Sequence, residues 1–203
     1  MTQKPSRKMT IMEVAAEHFS EHGYDATHLE AIARACGISK PAIYYHFKDK
    51  AALYEAVLLK RFAALARIID SATHHQDPIE NLKIYISTFG NYLVETPCFS
   101  AIFAREIANG AKSMPKSCVV ELSRTLQRLA SILESGKKEG IFHCENPFMI
   151  QMMIVTTLTS YITTEELRER VSTALSGSNK TIDPRIEDVI DNLSTKIIKA
   201  LTC

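Results

Sequence analysis

The sequence lacks any large excess of charge of one sign. Its 203 residues include 24 Lys and Arg against 23 Asp and Glu, which gives a formal net charge of +1. Many nucleic-acid-binding domains carry a strong positive excess, so composition alone does not indicate DNA as a partner. Any binding to DNA must therefore depend on where the cations are placed.

The sequence also lacks cysteine pairs and long apolar runs. The five cysteines are odd in number and never form a C-x-x-C pair, so we expect reduced, mostly buried thiols and no zinc or redox centre. They are Cys36, Cys98, Cys118, Cys144 and Cys203. No window reaches the roughly 18 apolar residues of a membrane span, and no apolar signal region follows the basic N-terminus. We expect a cytoplasmic protein.

Catalytic motifs are missing as well. The patterns G-x-S-x-G, G-x-G-x-x-G and the P-loop do not occur, so we expect neither an enzyme nor a cofactor. Residues 18–22, HFSEH, match the H-x-x-E-H pattern of inverted zinc peptidases, but they suit an ordinary first helix equally well. We expect His74, His75, His143 and Cys144 to be solvent-facing or packing residues, so no metal is predicted.

Strand signals hardly appear, and helical periodicity recurs from end to end, which predicts an all-α fold of about nine helices. Thr10 with Glu13, and Thr27 with Glu30, form capping boxes that predict the starts of helices one and two. Gly23 predicts the end of helix one.

Turn and capping residues divide the rest of the chain. Gly37 and Ser39 predict a short turn before a third helix that reaches about Phe47. Asp49 predicts the start of a long fourth helix at about residues 50–72. Later helices are predicted from Asp77-Pro78, Phe99, Ser113 to Pro115, Asn146-Pro147 and Asp183-Pro184, with a charged piece at 165–170 and a flexible SGSNK loop at 176–180.

Helices two and three have the length and tight connection of a helix-turn-helix, whose second helix enters the major groove of DNA. Ile43 and Phe47 are four residues apart, so we expect both to pack inward. The other side chains of helix three are rich in hydroxyl and imidazole groups, which bond phosphates and base edges but also suit a protein interface. Local cations favour DNA: Lys40, Lys48 and Lys50 around helix three, and Lys4, Arg7 and Lys8 in the N-terminal arm.

Residues 7–60, above all AAEHFSEHGYDATHLEAIARACGISKPAIYYHFKDKAALY, resemble the DNA-binding domain of TetR family repressors. The resemblance implies a homodimer, an operator of two half-sites, and release of DNA when a small molecule binds the C-terminal domain. Glu30 departs from the members that place a base-reading cation at this position. By position, phosphate contacts are expected from Ser39, Tyr44 and Lys50, and base contacts from Lys40, Pro41, Ala42, Tyr45 and His46. Apart from the resemblance, DNA contacts are also expected at Thr27, where amides begin helix two, and at Lys48, a cation that flanks helix three.

Behind the DNA-binding region, apolar helices offer two expectations. A pocket for a hydrophobic or amphipathic effector is expected at Phe89, Tyr92, Phe103, Ile107, Met149, Met152 and Met153, although plain core is the alternative. Arg105 and Glu106 would add polar contacts if they point inward. A dimer interface is expected at Ile150, Ile154, Leu158, Ile186, Val189, Ile190, Leu193 and Ile197, against the alternative of an intramolecular core.

These observations predict a helix-turn-helix domain at residues 1–50, joined by helix four to an effector-binding and dimerisation domain at 51–203. The favoured function is a ligand-responsive homodimeric repressor that leaves a palindromic operator when a small hydrophobic molecule binds. The alternative is a helical small-molecule carrier or adaptor without a DNA target.

Overall fold

The computed structural model describes residues 6–143, 146–175 and 183–202. Within these ranges the chain contains helices and no strand, so the all-α prediction is confirmed. Lys4, Cys144, Cys203 and the SGSNK segment lie outside the described residues. In chain order the helices are α1 (Arg7–Ala26), α2 (Leu29–Ala35), α3 (Lys40–Tyr44), α4 (Lys50–Ala72), α5 (Pro78–Glu95), α6 (Pro97–Ala108), α7 (Lys116–Lys138), α8 (Pro147–Thr163), α9 (Glu165–Ala174) and α10 (Ile186–Thr202).

The tenth helix comes from the charged piece that begins at Glu165. Two acids occupy the first turn of α9, where they interact favourably with the positive end of the helix dipole. The helix buries no residue, and its apolar side chains Leu167 and Val171, four residues apart, are exposed among charged neighbours. The last helix begins at Ile186 rather than beside Asp183.

Both capping boxes were wrong. Helix α1 begins a turn earlier than predicted, because the Ser6 hydroxyl accepts from the Met9 amide at 3.3 Å. The cap position of α2 is His28, and the Thr27 hydroxyl instead donates to the Gly23 carbonyl at 2.6 Å. Gly23 has φ 78° and ψ 174°, so it interrupts the helical backbone three residues before α1 ends.

Three other caps are confirmed. The carboxylate of Asp49 accepts from the Ala52 amide at 2.8 Å, and that of Asp77 accepts from the Ile79 amide at 2.8 Å. The side-chain oxygen of Asn146 accepts from the Phe148 amide at 2.9 Å. Each bond satisfies an amide at a helix start, where no intrahelical partner exists.

The chain divides into two compact units. The first consists of Met1–Ala64 and Pro97–Leu122, and the second of Leu65–Thr96 and Ser123–Cys203, so the boundaries fall within α4 and α7. In the first unit α1 contacts α2 and α6, and α2 contacts α3. Its core contains an aromatic group in which the Phe62 ring meets Phe99 and Phe103 edge-on, with centroids 4.8 and 5.2 Å away.

In the second unit α5, α8 and α10 pack against one another. The fully buried Tyr85 donates its hydroxyl toward Gln151 Oε1 at 2.7 Å and the Thr125 carbonyl at 3.1 Å. Gly90 allows α5 and α10 to approach closely, because a Cβ there would lie 2.7 Å from Cδ1 of Ile190. Across the residues described, none of the helices combines the length and apolar character needed to cross a bilayer.

Candidate nucleic-acid interface

The turn between α2 and α3 is fixed by backbone hydrogen bonds. The Gly37 amide donates to the Arg34 carbonyl at 3.1 Å, and the Ile38 amide donates to the Ala33 carbonyl at 3.0 Å. This pair of bonds is a Schellman motif, in which the residue that gives the first of the two amides must adopt a left-handed conformation. Gly37 supplies it with φ 64°. The sequence therefore sets the angle at which α3 leaves α2.

Helix α3 packs inward through the two residues that the sequence predicted. Ile43 is fully buried and Phe47 is 5% exposed. The helix itself ends at Tyr44, earlier than the predicted Phe47, although the amides of His46 and Phe47 still donate to the Ile43 carbonyl at 2.9 Å. The segment that follows α3 is therefore a tight turn that keeps Phe47 in the core.

The opposite side of α3 and its following turn faces outward, and we call it the recognition face. Tyr45 is 86% exposed and Tyr44 is 47% exposed. The rings of Tyr45 and His46 meet edge-on with centroids 5.0 Å apart. The face brings together eight of the ten predicted DNA contacts: the exposed Ser39, Pro41, Tyr44, Tyr45 and Lys48, and the partly exposed Lys40, Ala42 and His46.

Lys40 on this face has a partner that the sequence did not reveal. Its ammonium pairs with a carboxylate oxygen of Glu30 on α2 at 2.5 Å. The hydrogen bond from Lys40 holds the pKa of Glu30 below its usual range and raises the pKa of Lys40. Both side chains are well exposed to water, so the pair adds little stability. It does restrict the direction in which the Lys40 ammonium points.

Thr27 and Lys50, the other two predicted DNA contacts, are not part of the recognition face, and their polar groups bond to backbone carbonyls. Thr27 is 1% exposed, and its hydroxyl bonds to carbonyls of α1. The Lys50 ammonium donates to the carbonyls of Tyr24, Asp25 and Thr27 at 2.8, 3.2 and 3.1 Å. In the predicted arm, Arg7 and Lys8 belong to the first turn of α1. The Lys8 ammonium lies 5.5 Å from the centre of the Phe47 ring.

The expected pocket residues do not share one environment. Phe89 and Tyr92 are buried in the second unit, whereas Phe103 and Ile107 belong to the first. Met149, Met152 and Met153 are 50%, 48% and 39% exposed, so they lie on an outer surface of α8 rather than around an enclosed cavity. This placement corrects the expectation for the three methionines.

Arg105 and Glu106 make contacts within the first unit. Arg105 donates to the carbonyls of Ser20 and Glu21 at 3.2 and 2.9 Å. Glu106 is 4% exposed, and the Tyr54 hydroxyl donates to its Oε1 at 2.6 Å. Burial, followed by this contact with Glu106, raises the pKa of Tyr54. Glu106 is thus the inward-pointing residue of the two.

The expected dimer residues divide between two faces. Three of them, Ile186, Val189 and Leu193, are partly exposed on α10. The other five are buried inside their own chain, where a partner could not reach them: Ile150, Ile154, Leu158, Ile190 and Ile197. The burial of these five corrects the expectation. Because α8 is apolar nearly all round, its sequence could not indicate which side faces inward.

A surface cavity in the second unit has a volume of about 500 Å³ and includes none of the expected pocket residues. Three residues of its lining contact one another: Arg168 pairs with Asp183 at 3.0 Å and lies 3.5 Å from the centre of the Tyr161 ring. Hydrogen bonds from Tyr161 and then Arg168 hold the pKa of Asp183 low. The contacts of Asp183 with Arg168 and Tyr161 join residues 15 and 22 positions apart, a separation for which the sequence has no local signal.

Among the described residues, no group of three or more His, Cys, Asp or Glu side chains is placed to hold a metal ion. The rings of His18 and His22 have centroids 5.9 Å apart. Cys118 is buried, Cys36 and Cys98 are partly buried, and all three are free thiols. Burial raises the pKa of Cys118 to about 11, so its thiol stays protonated at neutral pH.

The all-helical fold, the fixed turn and the outward-facing tyrosines and lysines of α3 define a helix-turn-helix regulator of transcription that binds DNA. The chain belongs to the tetR family of bacterial regulatory proteins, whose model matches residues 11–57. A second model, described as the C-terminal region of YcdC-like proteins, matches residues 58–202. Together the two models cover all the helices except the first four residues of α1.

Two characterised relatives extend beyond the DNA-binding region. The HTH-type transcriptional regulator RutR of Escherichia coli is 24% identical over 196 residues, which cover 97% of this chain and 91% of RutR. The HTH-type transcriptional repressor KstR2 of Mycolicibacterium smegmatis is 28% identical over 148 residues, 70% of each chain.

Solved structures share the fold over almost the whole chain. The fatty acid degradation regulator FadR of Bacillus halodurans has a TM-score of 0.73 at 19% identity and covers 97% of both chains. The TetR family regulator PfmR of Thermus thermophilus has a TM-score of 0.72 at 24% identity, covering 93% of this chain and 97% of its own.

Proposed function

We propose that this chain is a homodimeric repressor that binds a two-part operator and releases it when a small hydrophobic molecule binds the C-terminal region. The observation that carries the proposal is the recognition face, which exposes tyrosines and lysines from a rigidly connected short helix. Ser39, Tyr44 and Lys48 bind phosphates in this proposal. Lys40, Pro41, Ala42, Tyr45 and His46 lie at the base edges in the major groove.

The dimer is supported by a second exposed surface, the α8 outer face, made of Phe148, Met149, Met152 and Met153. Their exposed fractions are 66%, 50%, 48% and 39%. An apolar surface of this kind on one helix is typical of a protein interface. We propose that it packs against the same face of a second copy, together with the partly exposed Ile186, Val189 and Leu193 of α10.

A dimer also suits the geometry of DNA. Half-sites one turn of the double helix apart need two linked recognition helices at a spacing of about 34–36 Å. One recognition face contacts only one half-site, and its contacts alone give modest affinity. Joining two copies makes the second contact intramolecular, which raises the affinity for the full operator.

For the effector, we propose a small apolar molecule that enters the interior of the second unit beside Phe89 and Tyr92. Those side chains are 0% and 7% exposed, so an effector there would be held largely by apolar contacts. A coupling of about 1–3 kcal/mol between effector and operator would change DNA affinity roughly 5–150-fold. The name of KstR2, a transcriptional repressor, favours repression over activation.

Fluorescence anisotropy tests the proposal. The purified protein is titrated with a labelled duplex from just upstream of its own gene and with a scrambled duplex, at several salt concentrations. We expect tight, specific binding that weakens steeply with salt, because neutralised phosphates release counterions. The variant carrying Tyr44→Ala and Tyr45→Ala is the matched control, with circular dichroism to show that it folds. It should bind both duplexes equally weakly.

If the unaltered protein binds every duplex from its own gene neighbourhood no better than the scrambled one, the operator is sought by selection from random duplexes. Failure of that selection would contradict the repressor proposal. The carrier or adaptor without a DNA target would then be the better description.

A further inference from the structure

The end of α1 leaves carbonyl groups without helical partners. Gly23 interrupts the helical backbone, and the chain turns away after Ala26. The last carbonyls of any helix lack the amides four residues further on and must find other donors. Here the carbonyls of Tyr24 and Asp25, from the end of α1, and of Thr27, the residue that follows the helix, converge on one point.

That point is the ammonium of Lys50, the first residue of α4. Its distances to the three carbonyl oxygens are 2.8, 3.2 and 3.1 Å. An ammonium has three N–H donors, so these bonds use its whole capacity.

Aromatic packing holds the same lysine from the side. The Lys50 ammonium lies 4.5 Å from the centre of the Tyr24 ring. That ring packs against Tyr54 of α4, with centroids 4.8 Å apart. The Thr27 hydroxyl donates to the Gly23 carbonyl and so closes the other side of the connection. Lys50, although partly exposed, is therefore held by the segment that joins α1 to α2.

We propose that Lys50 is a positioning residue that caps α1 and ties the α1–α2 connection to the start of α4, and that it does not bind a DNA phosphate. A phosphate contact would require it to abandon carbonyls that have no other donor among the described contacts. Lys48, two residues earlier and exposed on the recognition face, is the phosphate contact of this segment. This assignment rests on the proposed binding of an operator.

The same substitution at Lys50 and at Lys48 distinguishes anchoring of the α1–α2 connection from phosphate binding. Lys50→Met and Lys48→Met each remove one ammonium and keep a flexible apolar side chain. Amide hydrogen exchange of the DNA-free protein is the first measurement. In Lys50→Met we expect exchange at residues 24–32 to rise at least about 10-fold, because α1 and the start of α2 lose their anchor. Lys48→Met should leave exchange there unchanged, and α5 serves as an internal reference in both variants.

Operator binding against salt is the second measurement. Lys48→Met should lower the slope of log K against log salt by about 0.9, the value for one phosphate contact. Lys50→Met should weaken operator binding about 10-fold with its slope unchanged. Lys50→Arg should recover most of both properties, since a guanidinium also donates to several carbonyls.

The proposal is overturned if Lys50→Met lowers the salt slope as Lys48→Met does while exchange at 24–32 stays unchanged. If Lys50→Met does not fold, Tyr24→Leu replaces it, because it removes the ring beside the ammonium and keeps the charge. Raised exchange at 24–32 in that variant supports the proposal, and unchanged exchange contradicts it. The exchange measurement needs no operator, so failure to find one would affect the repressor proposal alone.

Discussion

The recognition face and the α8 outer face are both exposed sides of helices, yet their chemistry is opposite. The first presents hydroxyls, an imidazole and ammonium groups, and its backbone is fixed by the Gly37 turn. The second presents one phenyl ring and three flexible thioethers. A polar face with fixed geometry suits the reading of base edges, whereas an adaptable apolar face suits contact with another protein. The following substitutions test this division.

The largest effect is expected from charging the α8 outer face. Met149→Glu combined with Met152→Glu places two carboxylates where the proposed partner chain packs, and their burial would cost several kcal/mol. We expect a monomer by light scattering and a loss of operator affinity of about 100-fold or more. Val119→Glu, on an exposed part of α7 outside this face, is the control and should stay dimeric. A dimeric double variant would rule out the interface.

Tyr45→Ala should have the next largest effect. A side chain that reads a base contributes about 1–3 kcal/mol, so we expect operator affinity to fall roughly 5–150-fold. Dimerisation should be unaffected, because Tyr45 does not belong to the α8 outer face. Tyr45→Phe separates the two parts of the side chain: full affinity would assign recognition to the ring, and reduced affinity would assign it to the hydroxyl. Normal affinity in Tyr45→Ala would remove this residue from the recognition face.

Glu30→Gln should produce a smaller change, in the opposite direction. On non-specific DNA, where Lys40 has no matching base edge, removing the Glu30 charge frees the Lys40 ammonium to neutralise a phosphate, so we expect non-specific affinity to rise a few-fold and its salt slope to steepen by about 0.9. Because Lys40 lowers the pKa of Glu30, the pair is present at neutral pH and is lost only as pH falls through that lowered value. Glu13→Gln, which removes one negative charge from α1, is the control, and its salt slope should not change. Equal slopes in the two variants would mean that Glu30 does not restrain Lys40.

Gly90→Ala should leave DNA binding intact at low temperature and affect only stability. The added Cβ would lie 2.7 Å from Ile190 Cδ1, on the buried side of α10. Overpacking of this kind costs about 1–3 kcal/mol, which we expect to see as a lower Tm in calorimetry. In a double-mutant cycle, Ile190→Ala should cost less stability in the Gly90→Ala background than in the unaltered protein, because it removes the atoms that the added Cβ meets. Additive losses would show that the two positions do not meet.

The comparison also explains what the sequence could predict. Spacing placed Ile43 and Phe47 in the core correctly, because a period of four on a helix decides the side that faces inward. The same reasoning failed for α8, where Ile154 was expected at the dimer interface but is buried, and Met152 was expected in a pocket but is exposed. Because α8 is apolar nearly all round, the spacing of its apolar residues does not indicate which side faces the core. The caps at Asp49, Asp77 and Asn146 were predictable because they bond amides two or three residues away.

Contacts between distant residues were not predictable. Lys50 meets carbonyls 23 to 26 positions earlier, and Glu30 meets Lys40 from another helix. Lys40 and Lys50 show the same positive charge in the sequence, which therefore could not distinguish a cation bonded to three carbonyls from one paired with a carboxylate. Thr27 likewise suited a helix cap by type, but the break at Gly23 brings a carbonyl within reach of its hydroxyl.

The first unit is not continuous along the chain. Phe62 packs on Phe99 and Phe103, and Tyr54 donates to Glu106. In each contact the second residue is separated from the first by 32 residues that belong to the second unit. During synthesis at about 5–20 residues per second, the N-terminal 64 residues leave the ribosome a few seconds before these partners emerge. The DNA-binding part therefore cannot mature first, and a fragment cut at residue 64 would expose an unfilled aromatic core.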